Sequence, residues 1–309
     1  MAKKRSRLAD LATYLAVRVV ACIVQALPWS MALSLARFLG WLAYRVDRRH
    51  RRVALENLRH AFPGLDEAGR DRLVRASYEH LMRVAVEMIR MPVALSRGSV
   101  ERHLEYADPA DYDRMVAWVR SGRPLIVLAG HFGNWEMMSY VFGLMGFRGA
   151  VVARRLDNPW LDRFVQGFRR KTGQEVLDKN LDFDRITGVL DRGGFLGLVG
   201  DQDAGPRGMF VDFFGRPAST FKSMALLSLR WSAPVLVFGA ARVGDPMRYR
   251  LYVADVILPE EYEGRPDAAR LITERHARAL ETLVRLHPEQ YFWLHNRWKH
   301  QRKEKRKAA

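Results

Sequence analysis

His131 and Glu136, a histidine and a glutamate five residues apart, are the side chains in this sequence best suited to acid–base chemistry. A neutral imidazole can take a proton from an alcohol, and a carboxylate on its other ring nitrogen fixes the tautomer and stabilises the imidazolium that forms. Five residues turn an ideal helix by about 500°, so the two side chains cannot share a helix face. A turn must bring them together, and Gly133-Asn134 supplies one.

The sequence on either side of this turn predicts a strand before it and a helix after it. Residues 124–128 are a short, continuous apolar run of the kind found in buried strands, and residues 137–144 have the character of a helix. Ligands of open α/β sheets gather beyond the carboxyl ends of strands, and a helix N-terminus offers unpaired N–H groups. We therefore expect His131 to stand in a ligand site at a strand end.

The rest of the chain alternates between strand and helix patterns, which predicts one α/β domain with a mixed sheet flanked by helices. The predicted strands are 149–153, 196–199, 235–241 and 249–256. The predicted helices are 53–61, 67–91, 161–171, 183–190, 221–230 and 267–285.

The N-terminal region is predicted to be a membrane anchor. Residues 11–27 are apolar apart from Arg18, Gln25 and small hydroxyl residues, and 17 residues span about 25 Å as a helix, the short limit for a bilayer. Arg18 at mid-bilayer needs to snorkel or find a partner. A cleaved signal peptide is the alternative, because residues 24–26 loosely fit a small-x-small cleavage site.

A second amphipathic helix is expected over 31–46, lying at the membrane interface. The alternative is a helix packed on the soluble domain with a solvated basic face. One stripe of this helix carries cations and aromatic rings suited to lipid headgroups. The residues of that stripe are Ser34, Arg37, Trp41, Tyr44 and Arg48.

The charge of the chain is concentrated in three places. The formal net charge is +17, and segments 1–7, 45–52 and 297–309 hold 14 of those charges. Such clusters attract anionic membranes, and no nucleic-acid recognition element accompanies them, so we expect no nucleic-acid partner. The single cysteine, Cys22, cannot form an internal disulfide, which favours a catalytic region in a reducing compartment.

The segment from His131 to Glu136 resembles the H-x4-D/E motif of glycerolipid and lysophospholipid acyltransferases, in the form used by the bacterial lipid A late acyltransferases. Further blocks follow in the order of that family, and the resemblance runs from about residue 11 to 300. Asn296 stands where the family has an arginine. The further blocks are Arg154-Arg-Leu-Asp-Asn-Pro159, Gly200-Asp-Gln-Asp-Ala-Gly-Pro206, Phe210–Thr220 and Gln290–Lys299.

The resemblance implies a glycerolipid acyltransferase-like fold and transfer of a fatty acyl chain from a thioester to a hydroxyl of a lipid A precursor or similar glycolipid. The donor is acyl carrier protein or coenzyme A, and no other cofactor and no metal is implied. His131 is then the general base, Glu136 its orienting partner and Arg154 a ligand of an anionic headgroup or of the oxyanion. Asn134, Asp201 and Asp203 are expected in the substrate-binding part of the site. There the two aspartates would orient neighbouring cationic or polar groups, and loop capping is the alternative for both.

We expect a monomer at the inner membrane with its site on the cytoplasmic side. We expect an anchor and interfacial helix over 1–50, the catalytic α/β domain over 51–300 and a basic tail over 301–309. Three alternatives remain open at this point. They are an acyltransferase of another glycolipid such as a phosphatidylinositol mannoside, a metal-dependent glycosyltransferase using Asp201 and Asp203 as a D-x-D pair, and a non-enzymatic membrane adaptor.

Overall fold

A computed structural model describes residues 6–147, 149–178 and 182–301. The basic cluster predicted at residues 1–7 lies mostly outside the described residues, as does the tail beyond residue 301. The helices are α1 (Arg7–Ala26), α2 (Trp29–Val46), α3 (Arg48–Ala61), α4 (Glu67–Ala94), α5 (Pro109–Arg120), α6 (Trp135–Leu144), α7 (Pro159–Arg170), α8 (Phe183–Asp191), α9 (Ser223–Trp231), α10 (Pro259–Tyr262) and α11 (Ala268–Leu286). The strands are β1 (Leu104–Tyr106), β2 (Leu125–Ala129), β3 (Gly149–Ala153), β4 (Glu175–Asp178), β5 (Phe195–Val199), β6 (Met209–Phe213), β7 (Arg216–Thr220), β8 (Val235–Gly244) and β9 (Arg248–Ile257).

Seven strands form a mixed sheet in the order β1-β9-β8-β2-β5-β3-β4, which confirms the predicted fold class. All neighbours are parallel except β8 and β9, which form an antiparallel pair. The central strand β2 is a nearly continuous apolar run because helices cover both faces of a parallel sheet. The two-stranded hairpin β6–β7 is separate from this sheet.

Two hydrophobic cores flank the sheet. On the first face, α6 packs against Val127 and Phe195. On the second face, α8, α9 and α11 pack against Ile126 and Leu196. The alternation along β2 and β5 therefore sends successive side chains into different cores.

The connections of the central strands reverse direction at β2 and β5. The loop after β2 leads to α6 on the first face, whereas the chain after β5 continues through the β6–β7 hairpin to α9 on the second face. Neighbouring strands whose connections leave on opposite faces open a crevice at their carboxyl ends, where ligands of open α/β sheets bind. A ligand site is therefore expected in this crevice, at the carboxyl ends of β2 and β5.

The apolar helix α1 agrees with the predicted anchor in position. Within the described residues it is long and apolar enough to cross a bilayer by length and composition, a test that an N-terminal signal sequence also passes. Its Arg18 has a partner, since the guanidinium lies 5.0 Å from the centre of the Phe164 ring on α7. Most of its large apolar side chains are exposed, among them Val19, Val20 and Ile23.

Helix α2 packs on α4 through a stripe of small residues. Ala32, Ala36 and Gly40 are buried, and a Cβ on Gly40 would lie 2.6 Å from the Cα of Glu79. The predicted interfacial stripe is therefore wrong for Tyr44, which is buried and donates a hydrogen bond to Asp71. Trp41 remains exposed, and with Phe38 it forms a stacked aromatic pair on the outer surface.

Candidate functional site

His131 meets Asp201 at the carboxyl ends of β2 and β5. The two strands pair in register to their last residues, Ala129 and Val199, so residues two positions beyond each end lie side by side. The backbone N–H of His131 donates to Asp201 Oδ2 at 2.8 Å, and its Nδ1 lies 2.6 Å from Asp201 Oδ1. These bonds assign the proton to Nδ1 and leave Nε2 as the basic nitrogen.

The electrostatics of the pair favour a basic imidazole. Burial alone lowers the pKa of His131, but the charge and hydrogen bond of Asp201 and the charge of Glu136 together raise it above its ordinary value. Burial raises the pKa of Asp201, but His131 and Arg297 oppose it and hold this pKa well below its usual range. Asp201 therefore stays ionised and stabilises a proton on His131.

A shell of buried side chains surrounds Asp201. Arg297 is 3% exposed and donates from Nη2 to Thr220 Oγ1 at 2.6 Å, so its charge is fixed close to the carboxylate. Burial, assisted by interaction with Asp201, raises the pKa of Tyr291 well above its ordinary value. Burial lowers the pKa of His276 to about 4, so this nearby imidazole is neutral at physiological pH.

The loop that carries His131 is completed from the far end of the chain. The backbone N–H of Phe292 donates to the His131 carbonyl at 3.0 Å, and that of Gly133 donates to the Gln290 carbonyl at 2.9 Å. Gly133 has a positive φ of 57°, and a Cβ there would lie 1.8 Å from the Ala240 oxygen. Only glycine fits this close approach, which explains its place between His131 and Glu136.

Glu136 lies in the first turn of α6 and lines the cavity beside His131. Sequence reasoning predicted that it would hold the imidazole, but the hydrogen-bonding position at Nδ1 is occupied by Asp201. The physical reason is register, since Asp201 follows the neighbouring strand at the same offset as His131. Glu136 acts on His131 through its charge and is one of the residues that line the cavity.

Asn134 is fully buried, so the structure contradicts its predicted contact with substrate. Its side-chain oxygen accepts from the N–H of Met137 and caps α6, while its Nδ2 donates to Glu87 Oε2 at 2.9 Å and to the Tyr249 hydroxyl at 3.1 Å. An asparagine is needed here because it accepts from the helix and donates to a carboxylate at once.

The carboxylate that accepts from Asn134 is that of Glu87, which forms a buried ion pair with Arg242. Glu87 is 0% exposed and accepts from Arg242 Nε at 2.7 Å and Nη2 at 2.8 Å. Arg242 also contacts His80 Nδ1 at 2.9 Å, and His80 Nε2 lies 3.0 Å from the Gly133 carbonyl, so the imidazole bridges the two. The pair thus reaches both Gly133 and Asn134, and it fixes the turn between His131 and Glu136.

Asp203 organises its own loop and is not part of the cavity lining, in contrast to its predicted contact with substrate. One of its oxygens, Oδ2, lies 2.6 Å from His300 Nδ1 and accepts from the Gly205 N–H. Asp201 and Asp203 therefore engage different partners. In the described part of the chain, no group of three or more His, Cys, Asp or Glu side chains could hold a metal ion.

A cavity of about 670 Å³ opens beside His131. Its lining is largely apolar, and its polar members include His131, Glu136, Gln202, Arg154 and Arg230. Arg154 is exposed and lies 3.2 Å from Asp157, as expected for a residue at the mouth. Gln202 places its amide nitrogen 3.4 Å from His131 Nε2.

Sequence reasoning did not assign Gln202, Glu87 or Arg242 to the site. It expected Asp201 to orient neighbouring groups but did not identify His131 as its partner. One signal could have found the Asp201 contact, namely that His131 and Asp201 each stand two residues beyond the end of an apolar strand. Glu87 and Arg242 offered no such signal, because a charged residue in a helix or strand pattern is usually solvated.

Comparison with known proteins gives one consistent result. The family model described as "Bacterial lipid A biosynthesis acyltransferase" matches residues 1–300. The lipid A biosynthesis lauroyltransferase of Escherichia coli K12 is 28% identical over 93% of this chain and 91% of its own length. The palmitoleoyltransferase of the same organism is 25% identical over 88% and 86%. A phosphatidylinositol mannoside acyltransferase of Mycolicibacterium smegmatis is 27% identical over 59% and 60%.

Proposed function

The chain belongs to the bacterial lipid A biosynthesis acyltransferase family, and from this premise we propose that it transfers a fatty acyl chain from a thioester to a hydroxyl of a lipid A precursor or similar glycolipid, with His131 as the general base. One observation carries the proposal. His131 is oriented by the buried Asp201 at Nδ1, and its ring lines a largely apolar cavity beside the sheet.

The proposed reaction has two steps. His131 Nε2 takes the proton of the acceptor hydroxyl as its oxygen attacks the thioester carbonyl carbon, which forms a C–O bond and a tetrahedral oxyanion. The intermediate then collapses, the C–S bond breaks and the imidazolium returns the proton to the leaving thiolate. The ionised Asp201 stabilises the imidazolium between these steps.

Gln202 is the side chain best placed to stabilise the oxyanion. Its amide nitrogen lies 3.4 Å from His131 Nε2 and lines the same cavity, so an oxygen developing next to the base can accept from it. A donor aimed at developing charge in a low-dielectric site contributes more than the same donor in water.

We further propose that the protein acts as a monomer at the cytoplasmic face of the inner membrane, with an acyl carrier protein or coenzyme A thioester as donor. The apolar surfaces of α1 and α2 support contact with lipid, since Val19, Ile23, Phe38 and Trp41 are more than half exposed. The arginine cluster at 45–52 follows directly and can bind anionic headgroups.

The acceptor can be tested directly. Mass spectrometry of lipids from cells with and without the protein is expected to show one glycolipid that gains an acyl chain only when His131 is intact. Purified protein should then acylate that lipid with a lauroyl or myristoyl thioester. Acylation of a phosphatidylinositol mannoside instead would move the acceptor to the other named class of relatives, and full activity of His131→Ala would disprove the mechanism.

The pH dependence of transfer should depend on Glu136. His131 must be neutral to act as base, and its raised pKa places the acidic limb of kcat/KM above the ordinary histidine value. Glu136→Gln removes one of the charges that raise this pKa, so the limb should move to lower pH. The apparent pKa read from this limb belongs to the coupled His131–Asp201 pair as a whole.

Glu260→Gln, at an exposed position on α10, is the matched control and should leave the acidic limb in place. Full pH profiles of kcat/KM for the three proteins give the comparison. A limb that stays in place or moves to higher pH in Glu136→Gln would rule out an electrostatic action of Glu136 on His131.

Arg154 is expected to bind an anionic part of the substrate. It lines the cavity mouth, whereas its neighbour Arg155 does not line that cavity. Arg154→Met should raise KM for a phosphorylated acceptor about tenfold at low salt, and less at high salt because an exposed charge is screened. Arg155→Met should have a clearly smaller effect, and equal effects of the two variants would argue against a specific contact.

A further inference from the structure

The sheet opens between β3 and β5 just where the cavity lies. β5 stays paired with β2 to its last residue, and β3 stays paired with β4 to its last residue. Between β3 and β5, however, pairing covers only 149–151 and 195–197. The last two residues of these strands, 152–153 and 198–199, therefore diverge and leave a notch in the sheet.

The cavity extends through this notch onto both faces of the sheet. Val151 and Gly197 form the last pair below the notch, and both line the cavity on the first face. Val152 and Leu198 are the next residues along each strand, and they line it on the second face. Gly197 has no side chain, which keeps the base of the notch open on the first face.

The part of the cavity on the first face, here called the inner lobe, is enclosed. Each of its defining side chains is 9% exposed or less, and three phenylalanine rings meet at its floor with centroids 5.6 and 5.7 Å apart. These residues are Val127, Met138, Ser139, Phe142, Phe195 and Phe238.

The part on the second face, here called the outer lobe, is open at the surface. Phe183 and Leu226 are 58% and 49% exposed, although both are large and apolar. Arg230 lies at its rim with its guanidinium 4.7 Å from the centre of the Trp231 ring. The residues that define this lobe are Phe183, Ile186, Leu198, Met224, Leu226 and Leu227.

The cavity is larger than one lauroyl chain. At about 30 Å³ for a group the size of a water molecule, 670 Å³ has room for roughly 20 such groups, which is more than one lauroyl chain fills. Both lobes meet at the strand ends, where His131 and Gln202 stand. A thioester carbon from one lobe and a hydroxyl from the other would therefore meet at the base.

We propose that the two lobes bind two different alkyl chains, the inner lobe the acyl chain of the donor and the outer lobe a chain that the acceptor lipid already carries. This assignment rests on the proposed function. The donor chain arrives on a water-soluble carrier and needs an enclosed site that removes it fully from water. The acceptor remains partly in the bilayer, which requires an open, apolar lobe with cations at its rim for an anionic headgroup.

Binding stoichiometry tests the two lobes without any reaction. Native mass spectrometry of the full chain with dodecanoic acid should show two bound molecules. Ser139→Phe, which fills the inner lobe, and Leu227→Trp, which fills the outer one, should each bind one. Leu286→Trp carries the same substitution on an exposed part of α11 outside the cavity and should bind two. A single bound molecule in the unaltered protein would overturn the proposal.

Kinetics then assign the lobes. Leu227→Trp should raise KM for the acceptor at least tenfold with KM for a lauroyl thioester unchanged, and Ser139→Phe should do the reverse. If both variants raise KM for the donor alone, one long chain threads the notch and the proposal fails. Absence of transfer in all proteins, with two dodecanoic acid molecules still bound, would reject the proposed function and leave the two lobes intact.

Discussion

Asp201→Asn is expected to lower kcat for acyl transfer by about 10³- to 10⁴-fold while the protein remains folded. An asparagine can still accept from the His131 backbone N–H, but its amide group would face Nδ1 as a donor. That contact favours the tautomer with the proton on Nε2, so the nitrogen that must act as base is already protonated. The loss should match that of His131→Ala, because each variant removes the same basic nitrogen.

Asp203→Asn is the matched control, since it makes the same change two residues further along the same loop. An asparagine there still accepts from the Gly205 N–H, so we expect kcat within about tenfold of the unaltered protein. Rates with saturating donor and acceptor, together with thermal unfolding of each variant in detergent, separate chemistry from folding. Near-normal turnover of Asp201→Asn would exclude Asp201 as the partner of the base.

Arg242→Met should destabilise the fold by about 3–5 kcal/mol, which is a large share of the stability of a typical domain. The variant leaves the Glu87 carboxylate buried without its cation. It also disturbs the contact of Glu87 with Asn134 and the contact of His80 with the Gly133 carbonyl, which hold the turn between His131 and Glu136. Unfolding by urea in detergent, followed by tryptophan fluorescence, measures the change.

The control is Arg248→Met, which removes an arginine of β9 from a partly exposed ion pair with Glu105 on the parallel neighbour β1. Exposed pairs contribute about 0–1 kcal/mol, so this variant should differ little from the unaltered protein. Replacing Glu87 and Arg242 together by apolar residues should recover part of the lost stability, because no unpaired charge then remains. Equal effects of Arg242→Met and Arg248→Met would show that the buried pair is not a stabilising centre.

The parts of the fold with a local signal were predictable. Strand β3 was predicted with its observed bounds, and β2 and α6 were predicted to within two residues at each end, because an apolar run or a helical period marks each of them. The segments 104–106 and 109–120 were not predicted. The strand is only three residues long and the helix is rich in charged residues, so neither carries a clear apolar pattern.

The site was predictable as a location but not as a network. The loop from His131 to Glu136 was identified from residue types, and the resemblance placed Asp201 nearby without its contact to Nδ1. That contact depends on β5 lying next to β2, an order that sequence patterns do not give. The role of Asn134 depends in the same way on Glu87, 47 residues earlier in the chain. Predicting either would require the long-range packing itself.

The pairing of the His131 loop with residues 290–292 sets an order of events during biosynthesis. Helix α1 leaves the ribosome before the α/β domain and can reach a membrane while most of that domain is still unmade. The loop, in contrast, waits for a segment made roughly 10–30 s later at ~5–20 residues per second. The His131 loop would thus reach its paired arrangement only after residues 290–292 have been made, later than α1 becomes available to a membrane.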